Sequence, residues 1–95
     1  MGERKLEELR DEINEIDEKL IELFKDRMQV VKEIARYKLD NERPVLDESR
    51  EEFIIRKHTG NVNDPELSRE IGEFIKGLLK ISRDAQGEII ASYKR

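Results

Sequence analysis

Arg27 and Lys38 fall where an apolar helical periodicity should continue: the steps through Leu20 and Leu23 next reach Arg27, then Val30, Ile34 and Lys38. At about 100° per residue, their separation of eleven places the two cations about 20° apart on one face. Asp47, Arg50 and Glu51 share a face with Ile54 at spacings of three and four. Ser82 and Gln86 lie one turn apart, in line with Leu78 and Ile89. Buried charges and amides are costly unless matched, so cations set into helical seams ask for an anion. The chain offers only Asp47 and Glu51 there, and an anionic ligand is the natural missing partner. Arg10 belongs to this set only at a distance. It precedes Arg27 by seventeen residues, about 25 Å along a helix axis, so one metabolite cannot touch both within one chain. In an antiparallel or crossed dimer, Arg10 of one copy approaches Arg27 of the other.

Each of these residues has a structural explanation when taken singly. Arg27 can run its stem to solvent, Asp47 can serve the start of a helix, and Arg50 with Glu51 can be a solvated face. Ser82 can bond back to the preceding turn, and Gln86 can lie on the surface. Their joint appearance in all three apolar seams is what favours a binding site. The chain has no cysteine and one histidine, His58, which reads as a solvated residue at the end of a helix, favoured by the dipole. Thiolate chemistry and disulfides are excluded. The remaining repertoire of Arg, Lys, Asp, Glu, Ser and Gln suits substrate binding and electrostatic stabilisation better than nucleophilic attack.

The elements that must carry these side chains are helical. From about Glu3 to Asp40 there is neither Gly nor Pro, and Leu6, Leu9, Ile13, Ile16, Leu20, Leu23, Val30 and Ile34 recur at three-four steps. Asp40-Asn41, and Pro44 restricting Arg43, end this helix. A second helix is expected from about Leu46 to Lys57, closed by Thr59-Gly60-Asn61. A third is expected from Asp64 as N-cap and Pro65 at the first position, through Leu67, Ile71, Phe74, Leu78, Ile81, Ala85 and Ile89. Gly72 and Gly77 lie inside it and suggest a close helix crossing. No strand pattern appears. The first helix, at about 1.5 Å per residue, spans roughly 55 Å, against a radius of gyration of about 12 Å for a domain of this size. Its stripe therefore needs a partner, and a second copy is the simplest one. A coiled-coil or bundle protein without chemistry fits the periodicity equally well.

Composition narrows the partners. The 95 residues make one domain, 1–95, with 44% charged and 36% apolar residues and a formal net charge of −4. That charge argues against nucleic acid. No run of about 18 apolar residues exists to span a membrane. Met1 to Lys5 leads into no apolar signal core, which predicts the cytoplasm.

Leu9-Arg10-Asp11-Glu12-Ile13, Ile16-Asp17, Arg27, Lys38, the run Arg43-Pro44-Val45-Leu46-Asp47-Glu48-Ser49-Arg50-Glu51, and Ser82 with Gln86 together resemble the all-helical class of chorismate mutase. The resemblance runs from about Leu6 to Gln86. It implies an all-α fold of three helices in an intertwined homodimer with two shared sites. It also implies rearrangement of chorismate to prephenate, toward phenylalanine and tyrosine, with no cofactor and no metal. By position, Arg27 and the Arg10 of the second copy would hold the two carboxylates. Lys38 would contact a carboxylate and the ether oxygen, and Gln86 would donate to that oxygen. Glu51, with backbone near Asp47, would accept from the ring hydroxyl, while Ser82 and Arg50 would complete the walls. Gly87, directly after Gln86, is expected to loosen the last turn holding that side chain. The chain shows no fused partner domain, and feedback control by an aromatic amino acid is not expected within it.

Two rivals stand beside this reading. An isochorismate-pyruvate lyase has a similar fold and similar Arg and Lys anchors, but the run through Asp47, Arg50 and Glu51 favours the mutase. A non-catalytic dimerisation module would tolerate apolar residues at Arg10, Arg27, Lys38 and Gln86. A mutase that reaches full activity only when docked on another enzyme is compatible with the same residues.

Overall fold

The computed structural model describes residues 5–94. They form three α-helices: α1 (Leu6–Asp40), α2 (Glu48–Thr59) and α3 (Pro65–Tyr93). No strand occurs among the described residues, so the fold is all-α as expected. Glu3, where the first helix was expected to begin, lies outside them. No helix among the described residues is long and apolar enough to cross a membrane. The chain divides into two compact units, one ending at Val30 and one beginning at Val31.

In the first unit the helix carries acidic Glu7 and Glu8 in its first turn, where they favour the positive end of the dipole. Its stripe of Leu6, Leu9, Ile13, Ile16, Leu20, Leu23 and Val30 is uncovered in the single chain, each residue being between 41% and 65% exposed.

The second unit holds the end of α1 with α2 and α3. Here α1 turns a different face inward from the one its periodicity suggested. Val30 and Ile34 are exposed, whereas Val31 and Ala35 are buried, Ala35 completely. Lys38, three residues beyond Ala35, continues that inner face and is half-buried. Lys38 thus belongs with Val31 and Ala35 rather than with the Val30–Ile34 stripe. On α3 the buried residues are Leu79, Ser82 and Gln86. Leu67, Phe74 and Ile81 of the expected stripe are exposed instead. The C-terminal ends of α1 and α3 lie side by side: the Arg36 guanidinium stands 4.7 Å from the Tyr93 ring centroid, a cation–π distance. A hydrogen bond to Asp40, and a second to Tyr93, raise the Arg36 pKa above its already high ordinary value.

The helix ends follow from local chemistry. Arg43 N–H donates to Lys38 C=O at 2.8 Å and Glu42 N–H to Leu39 C=O at 3.4 Å, with Glu42 at φ 52°. This is a Schellman stop with a non-glycine residue in the left-handed position. α2 starts two residues later than expected, at Glu48, because Asp47 is extended and caps it: its carboxylate accepts from Arg50 N–H at 3.0 Å. α2 ends at Thr59, two residues beyond Lys57, with His58 exposed in its last turn as anticipated. α3 begins as expected, Asp64 accepting from the N–H groups of Glu66 and Leu67 ahead of Pro65. It continues four residues past Ile89 to Tyr93, so Gly87 lies within the helix and not in its last turn. A Cβ at Gly72 would meet Thr59 at an ordinary 3.7 Å, and at Gly77 it would meet nothing within 4 Å. Helix crossing within the chain therefore requires neither glycine.

Candidate active site

Lys38 is held at both ends by the connection that follows it. Its backbone C=O accepts from Arg43 N–H, and its Nζ donates to Val45 C=O at 2.7 Å. Pro44, between these two anchors, fixes its own φ. An ammonium has three donors, so one bond to Val45 orients the group and leaves two N–H for a ligand. The cleft beside it, about 490 Å³, is lined by Lys38, Arg43, Pro44, Leu46, Asp47, Glu48 and Ser49.

On α2 the three residues read as one polar face behave differently from one another. Asp47 is the cap, with one carboxylate oxygen committed to Arg50 N–H. The Arg50 side chain is exposed and lies over Phe53, 5.4 Å from the ring centroid. Glu51 is half-buried, and its Oε1 accepts a short hydrogen bond from Arg83 of α3. The Arg83–Glu51 pair joins two helices, whereas Arg36–Asp40, Arg69–Glu73 and Lys80–Asp84 join neighbours one turn apart.

On α3, Ser82 and Gln86 are the polar residues of the buried set, each 6% exposed. Ser82 Oγ donates to Leu78 C=O at 2.8 Å, the back-bond that its position allowed. Gln86 is buried, not on the surface, and its Oε1 has no hydrogen-bond partner. A buried amide oxygen left unpaired costs about 1–3 kcal/mol. Residues that fold a protein for its own sake are rarely left so.

Within the second unit, the structure therefore brings Glu51 to the α3 segment carrying Ser82 and Gln86, and ties Lys38 to the Val45–Asp47 turn. Arg10, exposed, and Arg27, half-buried, belong to the first unit. Arg83 was not foreseen. The sequence carries only a faint hint of it: the positions one turn away, 79, 80, 86 and 87, hold no acid, but nothing in residue type or spacing points to Glu51, 32 positions away. The backbone acceptor at Val45 left no trace in residue type. None of Glu51, Ser82 and Gln86 lines the cleft beside Lys38. An oriented ammonium, a primary amide on a buried helix face, a hydroxyl and a compensated carboxylate are groups of the types that bind a polar organic anion and stabilise an oxygen gaining negative charge.

No curated protein and no solved structure matches the chain significantly. The family model for chorismate mutase type II matches residues 9–87, from the residue before Arg10 to the residue after Gln86. The chain belongs to the chorismate mutase type II family.

Proposed function

We propose that the protein is a chorismate mutase acting as a homodimer, and that it rearranges chorismate to prephenate without a covalent intermediate. The family match carries this reading, and the burial of Gln86 on α3, one turn from the Arg83 that pairs with Glu51, is compatible with it. The rearrangement is a one-molecule pericyclic step, so the protein must fold the ether side chain over the ring and stabilise charge growing on the ether oxygen. Lys38 and Gln86 are the donors assigned to that oxygen. Arg27 and a second copy's Arg10 take the two carboxylates, for which guanidinium forks are suited. Glu51 accepts from the ring hydroxyl, with Asp47 shaping the adjacent backbone and Ser82 and Arg50 completing the wall.

The second copy is argued from α1. Leu6, Ile13 and Leu20 form one seven-residue series, and Leu9, Ile16, Leu23 and Val30 another, all exposed in the single chain. That is the a/d spacing of a coiled-coil seam, and burying each side chain contributes about 1.5–3 kcal/mol. Arg10 sits at the edge of this seam.

Incubation of the purified chain with chorismate should consume it and yield prephenate. Mixing tests the shared site. Arg10→Ala and Lys38→Ala chains should each be inactive alone. Unfolded together and refolded, half their dimers are mixed and carry one intact site of two, so about a quarter of parent activity should return. No recovery on mixing would refute the shared site.

A further inference from the structure

We propose that Arg83 is a positioning residue that makes Glu51 compatible with a doubly negative substrate; this rests on the chorismate mutase reading above. A carboxylate in a site built for a dianion is a like-charge liability unless a cation stands next to it. The cation paired with Glu51 is Arg83, whereas the Lys38 ammonium stands on Val45 C=O. Arg83 reaches Glu51 from α3, engaging Oε1 and leaving Oε2 to accept from the ring hydroxyl. A carboxylate has enough lone pairs for both bonds. The side chains are about one-fifth and one-third exposed, Glu51 and Arg83 respectively, so their mutual attraction is less screened than that of a surface pair. Arg83 lies next to Ser82 and one turn before Gln86, so the helix that presents the amide also fixes the carboxylate.

The hydroxyl contact exists in bound substrate and in the transition state, so its loss should appear mainly in KM. Arg83→Met keeps the stem and removes the charge. It should raise KM about tenfold or more and leave kcat within about threefold. Arg83→Lys should retain most of the binding, since the charge persists without the fork. The decisive variant combines Arg83→Met with Glu51→Gln. With the uncompensated charge gone, KM should fall below that of Arg83→Met and return to that of Glu51→Gln alone, with this coupling read in KM; a purely structural ion pair would couple in the thermal midpoint and leave KM additive. Circular dichroism checks that each variant is folded, and Arg83→Gln replaces Arg83→Met if the latter does not fold. A KM within threefold of the parent for the charge-removing variant, or a double variant showing the product of the two single losses, overturns the proposal. A parent chain that leaves chorismate unchanged refutes the mutase reading and this assignment together. A parent that turns over chorismate with additive variants refutes this assignment alone.

Discussion

Replacing Gln86 by Met should stabilise the protein and disable it at once. The side chain is 6% exposed on the buried face of α3, and its Oε1 has no partner. Methionine has similar length and flexibility and fills the same space without a polar atom to desolvate. Removing the unpaired acceptor recovers part of its penalty, about 1–2 kcal/mol of the 1–3 that such a group costs. For a domain of this size each kcal/mol moves the midpoint by about 4–8 °C, so Tm should rise by roughly 4–16 °C. On the proposed mechanism the same change also deletes a donor to the breaking ether oxygen, worth about 10²–10³ in kcat. Thermal unfolding followed by circular dichroism gives the first quantity, and chorismate consumption under saturating substrate gives the second. A lowered Tm would mean that the amide oxygen is satisfied in the working protein. Unchanged kcat would remove Gln86 from the chemistry. Either result breaks the argument, which needs opposite signs from one substitution.

Lys38→Ala should lower kcat/KM by at least about 10² while the helical signal persists; activity within tenfold of the parent rules out the role given to this ammonium. Asp47→Ala removes the α2 cap bond to Arg50 N–H and should cost about 1 kcal/mol in a denaturant melt, and an unchanged midpoint would show that the cap contributes nothing. Glu42→Gly relieves the left-handed backbone at φ 52° and should stabilise by up to about 1 kcal/mol; a loss of stability would contradict the reading of the α1 stop. Gly87→Ala lies in open space inside α3 and should add about 0.5–1 kcal/mol, measured in the same melts.

Helical periodicity and capping chemistry read the fold well from the chain alone. Asp64-Pro65 marks the start of α3, and Asp40-Asn41 with Pro44 marks the end of α1, because both act through the nearest turn. The start of α2 is less legible, because Asp47 suits a first helical turn as well as the cap position it occupies. The inward face of α1 runs through Val31 and Ala35, one residue from the stripe that periodicity picks out. Ile34 is larger and more apolar than Ala35, Val30 and Val31 are the same residue type, and pattern alone cannot tell a face that meets the same chain from one left uncovered. Among the candidate site residues, the burial of Ser82 and Gln86 was legible as polar interruption of an apolar line. Arg83 was not, since its partner is 32 positions away, and Lys38 hides its anchor because every residue type has a carbonyl.

The short connection between α1 and α2 has a meaning for engineering. Residues 41–47 grip Lys38 at its carbonyl and at its ammonium, so a tag, a label or one added residue there would displace that side chain and the two helix ends together. The Gly60–Asn63 bend holds no such grip and is the place to splice in a reporter.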